Sequence, residues 1–166
     1  VETAAVSFRN GQNSRLVMNG GSLIFNNGSA YGVDYSDLTP RYFDNQGEMN
    51  VSNSTIDMTD RTFANDGVMN FTGANTVVFG SFAGAGEINF SGATLNASAI
   101  SGDFSGAVNF EGDNVISGGT FNLANAEMFA DDGPLTINNN AVVTFSSNYE
   151  IYADITVSAA ALTIAG

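Results

Sequence analysis

Asparagine stands at positions 50, 70, 89 and 109, each time between two apolar residues and each time about one fixed interval after the last. A carboxamide carries two N–H donors and one carbonyl acceptor. Side chains stacked in such a row can bond to one another, as amide ladders do. They can also present a flat polar lattice to a regular ligand, such as a glycan chain or an ice surface. Thr136 and Thr156 follow in the same alignment. An ice-binding face would show paired threonines, and here threonine is sporadic. The expectation for Asn50, Asn70, Asn89 and Asn109 is therefore a self-bonded ladder, with glycan recognition as the alternative.

Carboxylates are the second chemically able group. Asp34 and Asp37 fall near Asp44 and Glu48, and Asp131 adjoins Asp132. Calcium takes several oxygen ligands from a loop that folds around it, so Asp34, Asp37, Asp131 and Asp132 are its candidates. The glycine-and-aspartate nonapeptide of calcium-binding β-rolls is absent, and surface solvation is the expected role. No other cofactor is implied. Paired carboxylates also cleave glycosides, but they need a groove with aromatic platforms or positive charge, and these acids are scattered. Cysteine, histidine, lysine and tryptophan are all missing. That removes thiol nucleophiles, disulfides and zinc–thiolate sites, together with the commonest general base and the serine-type triad. No catalytic residue is assigned, and the chain reads as non-enzymatic.

Charge narrows the partners. The formal net charge is −13, and the only cations are Arg9, Arg15, Arg41 and Arg61. Nucleic-acid binding needs clustered Lys and Arg, so DNA and RNA are excluded, and anionic lipid is repelled for the same reason. No apolar run is long enough to span a bilayer. A hydrophobic fraction of 43% over 166 residues supports the core of one domain, residues 1–166.

The elements that must position these residues come from a repeated phrase. "RYFDNQGEMNV" begins at Arg41 and "RTFANDGVMNF" at Arg61. Phe43, Phe63, Phe82 and Phe129 each precede a glycine, namely Gly47, Gly67, Gly86 and Gly133, with Phe104 and Gly106 as a contracted copy. The glycine spacings are 20, 19, 20 and 27 residues. An alternating strand follows each glycine, a second follows a small-residue turn, and the phenylalanine phrase supplies a third side. A period of about 20 residues with strands and no helical pattern is a solenoid signature. Asn and Gly at the corners tolerate the φ > 0 of sharp bends. The fold expected is all-β, a parallel β-helix of about seven three-sided coils, right-handed by default.

Period-two alternation assigns the faces. Leu16/Met18, Met49/Val51, Met69/Phe71, Ile88/Phe90, Val108/Phe110, Leu135/Ile137 and Ile155/Val157 are expected to stack inward on the first side. Ile56/Met58, Val77/Phe79, Leu95/Ala97, Val143/Phe145 and Leu162/Ile164 do so on the second. Phe43, Phe63, Phe82, Phe104 and Phe129 form an aromatic ladder on the third. Two departures are expected, a loop excursion at 29–40 and an expanded coil at 118–127.

The "G-x-φ-N-φ" strands at Gly47, Gly67, Gly86 and Gly106 resemble the β-solenoid repeats of bacterial extracellular proteins, such as autotransporter-like passenger domains, adhesins and filament-forming parallel β-helices. That resemblance implies an extracellular or cell-surface location and a stalk, filament or adhesive role. Both ends read as strand without a cap, and bare solenoid ends expose unpaired backbone and apolar rungs. Val1, Val6, Phe8, Ile155, Val157, Leu162 and Ile164 are the expected assembly edge, with 29–40 as a docking contact. A head-to-tail contact of this kind propagates instead of closing, so the partners expected are further copies of the chain. The leading expectation is a secreted filament or sheath subunit. An adhesin or carbohydrate-binding stalk using the Asn/Thr face is the alternative.

Overall fold

The computed structural model describes residues 8–24, 42–123, 125–131, 133–145 and 149–164. The excursion expected at 29–40 lies outside the described residues. All strand pairing is parallel, and no helix occurs among the described residues. The fold is a β-solenoid repeat, and the three expected sides are present.

The first side stacks β2 (Arg15–Asn19), β5 (Glu48–Ser52), the start of β7 (Val68–Gly84), the start of β8 (Glu87–Phe104), β9 (Ala107–Glu111), β11 (Glu127–Asp131) and β14 (Tyr149–Ile151). From first strand to last the chain climbs about six turns. The second side runs through β3 (Ser22–Ile24), the start of β6 (Thr55–Asn65), the middles of β7 and β8, the start of β10 (Asn114–Asn122), β12 (Leu135–Asn138) and β15 (Ile155–Val157). The third takes β1 (Phe8–Asn10), β4 (Tyr42–Asn45), the later parts of β6, β7, β8 and β10, then β13 (Val142–Phe145) and β16 (Ala161–Ile164).

Alternation makes the core. Met49 and Val51 are buried while Asn50 between them is not, and the same holds for Met69/Phe71 and Ile88/Phe90. Like stacks on like: the Phe71 and Phe90 rings are 5.2 Å apart, and Phe90 and Phe110 are 5.0 Å apart. On the third side Phe43, Phe63, Phe82 and Phe104 follow at 4.6, 5.6 and 4.9 Å. Such ring pairs add about 0.5–1.5 kcal/mol each beyond the area they bury.

The corner glycines are demanded by close approach between coils. A Cβ built at Gly67 would run into the carbonyl oxygen of Gly47, and one at Gly86 into that of Gly67. Any side chain there would push the coils apart. This is why the phrase repeats its glycine.

The repeat changes phase in the sixth coil, which corrects several expectations. Glu127–Asp131 pairs with Ala107–Glu111, so Met128 sits on Val108 one ordinary period later. Among the described residues the 27-residue expansion expected at 118–127 is replaced by a 20-residue step from Ala107 to Glu127, with register shifts between Ile116 and Phe121. Leu135/Ile137 and Ile155/Val157 lie on the second side, stacked on Asn114/Ile116. Val143/Phe145 and Leu162/Ile164 lie on the third side. Phe129 leaves the aromatic ladder and pairs with Asn109 on the first side. The physical reason is the corner. Ala126 stands where the earlier coils have Gly, and its N–H donates to Leu123 O at 3.0 Å, closing a tight turn without glycine. Gly133 serves the following corner, packed on Gly112.

Candidate functional site

The outward row of the first side is built as expected over four coils. Asn70 Nδ2 donates to Asn50 Oδ1 at 2.7 Å, Asn89 to Asn70 at 2.9 Å and Asn109 to Asn89 at 2.7 Å. At the first rung of the row Asn50 Nδ2 donates within its own strand, to Glu48 Oε1 at 2.7 Å. All four side chains are half-buried. Asn70, Asn89 and Asn109 therefore each donate toward the N-terminal end, which leaves an acceptor at the C-terminal end of the row. Thr136 and Thr156 do not extend the row, because they pair with each other and with Val115 on the second side. In their place the row continues as Phe129 and then Glu150.

Sequence reading missed a second, buried amide row. Asn10 Nδ2 donates to Asn45 Oδ1 at 2.7 Å, and Asn45 Nδ2 to Asn65 Oδ1 at 2.6 Å. Asn10, Asn45 and Asn65 also donate to the carbonyls of Glu48, Val68 and Glu87. These amides hold the third side to the first. The available signal was an Asn two residues after Phe43 and again after Phe63. Further asparagines fasten the next corner: Asn75 Oδ1 accepts from Ser54 N, and Asn114 Oδ1 from Ala93 N.

The acidic candidates do not converge. Asp34, Asp37 and Asp132 lie outside the described residues, and Asp131 is exposed at the end of β11. Asp44 receives Arg9 Nε at 2.8 Å and Gln46 Nε2 at 3.0 Å, and Glu48 lies 3.5 Å from Arg15 Nε. Among the described residues no three His, Cys, Asp or Glu side chains come close enough to hold a metal ion.

Of the expected assembly residues, Val1 and Val6 lie outside the described residues, and Phe8 is placed by its backbone opposite Phe43. Ile155 and Leu162 are half-buried. Val157 and Ile164 are 43% and 48% exposed, although their counterparts one coil earlier, Ile137 and Phe145, are 0% and 1% exposed.

No protein-family model, curated protein or solved structure matches the chain. No helix among the described residues is long and apolar enough to cross a membrane.

Proposed function

We propose that the chain is a structural subunit of an extracellular filament or sheath, of the kind built by bacterial surface β-solenoids, in which copies stack coil upon coil. One observation carries this reading: each coil keeps the parallel register of the one beneath it through β14, β15 and β16, a geometry that a further coil can continue. Such a coil extends the same backbone pairing.

Charge supports the same contact. The first coil carries Arg9 and Arg15, whose side chains are 60% and 63% exposed. The last coil carries exposed Glu150 and Asp154 and no cation. Head-to-tail stacking brings opposite charges together, and a heterologous contact of this type propagates. Cysteine-free composition and high net charge suit such a secreted rod. Amide and ring ladders would let it resist unravelling without disulfides.

Electron microscopy of the purified chain tests the reading. Fibres with an axial repeat near one molecule's length are expected, and they shorten as salt screens the end charges. The double variant Val157→Asp with Ile164→Asp should remain dispersed while keeping its strand circular dichroism, because both positions are exposed. Dispersed wild-type rods at high concentration would sink the proposal.

A further inference from the structure

The outward face of the first side ends on an arrangement that contributes little to the stack. Phe129 occupies the amide position in β11, pointing outward between inward Met128 and Ala130. Beneath it stands Asn109, whose Nδ2 donates to Asn89 Oδ1 and Glu87 Oε1. Asn109 Oδ1 receives no hydrogen bond among the described residues, because phenylalanine has none to donate. It is the acceptor end of a chain of aligned amides, and such chains polarise one another and strengthen their terminal acceptor. Four exposed carboxylates surround the ring: Glu127 and Asp131 from its own strand, Glu111 from the coil below and Glu150 from the coil above. No lysine or arginine follows Arg61 to neutralise them.

We propose that this face binds an amino-sugar chain, a β-linked glycan bearing free ammonium groups, with Phe129 as its anchor. The three parts select that ligand jointly. A half-exposed phenyl ring accepts the apolar face of a pyranose and attracts a nearby cation. The carboxylates pair with ammonium and repel uronate or sulfate, so anionic glycans are rejected. Asn109 Oδ1 accepts a hydrogen bond from a hydroxyl or ammonium group. The surface is flat and extended, with rungs about 4.8 Å apart, so successive rungs meet successive units of a linear chain. Of the residues of this site only Glu150 also belongs to the end-to-end contact, since Phe129, Asn109 and the other carboxylates lie in the coils beneath it.

Calorimetric titration with short oligomers of β-1,4-linked glucosamine tests it, using the N-acetylated oligomers and oligolysine as comparators. Binding to the free-amine oligomer is expected, with weakening at high salt. Phe129→Ala should lower affinity about tenfold with the solenoid's circular dichroism unchanged. Asn50→Ala, at the far end of the row, should leave it alone. Equal binding of the N-acetylated oligomer would remove the ammonium from the argument. Equal binding of oligolysine would reduce the face to a general polycation surface. An unaffected Phe129→Ala variant, or no binding at all, overturns the site.

Discussion

Two amide ladders of similar geometry run along this solenoid, and burial alone should separate their contributions to stability. Asn45→Ala removes a bond donated to Asn65 Oδ1 at 2.6 Å, a longer one to Val68 O at 3.3 Å, and one accepted from Asn10 Nδ2 at 2.7 Å. Asn45 is 0% exposed, so water cannot replace these partners. A net hydrogen bond is worth about 0.5–1.5 kcal/mol, and an orphaned buried polar atom costs about 1–3 kcal/mol. Two good bonds are lost and Asn65 Oδ1 is left without its donor, so the expected loss is about 3–4 kcal/mol. Asn70→Ala also removes two short bonds, at 2.7 and 2.9 Å, but from half-buried side chains that water can reach. Its cost should stay below about 1 kcal/mol. Urea unfolding of both variants measures the difference, with the slope watched because stacked coils can lose cooperativity. Hydrogen exchange at Val68, whose N–H bonds to Gly47 O at 2.9 Å, reports the same coils locally. Equal destabilisation of the two variants would refute the assignment of the buried row as the structural one.

Two further stability predictions follow from packing. Gly86→Ala places a Cβ against the Gly67 carbonyl and should cost about 3 kcal/mol. Gly92→Ala, at φ +55 with nothing within 4 Å, should cost only about 1–2 kcal/mol, and a thermal melt of the pair distinguishes steric from conformational demand. Phe63→Ala removes a ring that touches Phe43, Phe79 and Phe82 and should cost about 3–5 kcal/mol by denaturant titration.

The regular coils were legible because steric necessity writes the same residue at the same place. Gly47, Gly67, Gly86 and Gly106 mark one corner, and counting from them placed every strand through Phe110 on its correct side. The reading failed where that marker is replaced. Gly106 is succeeded by Ala126, and Gly133, which belongs to the next corner, offered a false match. A strict count of 20 from Gly106 would have found Ala126 and the alternation of Met128 and Ala130 after it. The outward ladder was visible because its asparagines flank a strong apolar alternation. The buried row at Asn45 and Asn65 was not, because an asparagine beside a corner glycine reads equally well as turn chemistry. Only the register shows that its amides cross between coils.

The phase change bears on function as well as on reading. In the column Phe71, Phe90, Phe110 the next residue is Ala130, so β11 withdraws a ring from the core. The Phe145 ring, 6.4 Å from Phe110, approaches from the third side instead. The same strand puts Phe129 outside, where an asparagine would have extended the ladder. A sequence under selection for stacking alone gains by keeping Phe inward and Asn outward, as the three successive coils of β7, β8 and β9 do. Strand β11 reverses both preferences while holding register with β9 and β14. Departures from local consistency concentrate where a protein does something other than fold. The reversal is an argument for the proposed glycan site at the Phe129 rung, and Phe129→Asn should restore the ladder, leave stability unchanged or raised, and abolish glucosamine-oligomer binding. Loss of stability in that variant, measured by urea unfolding, would show the ring to be structural after all.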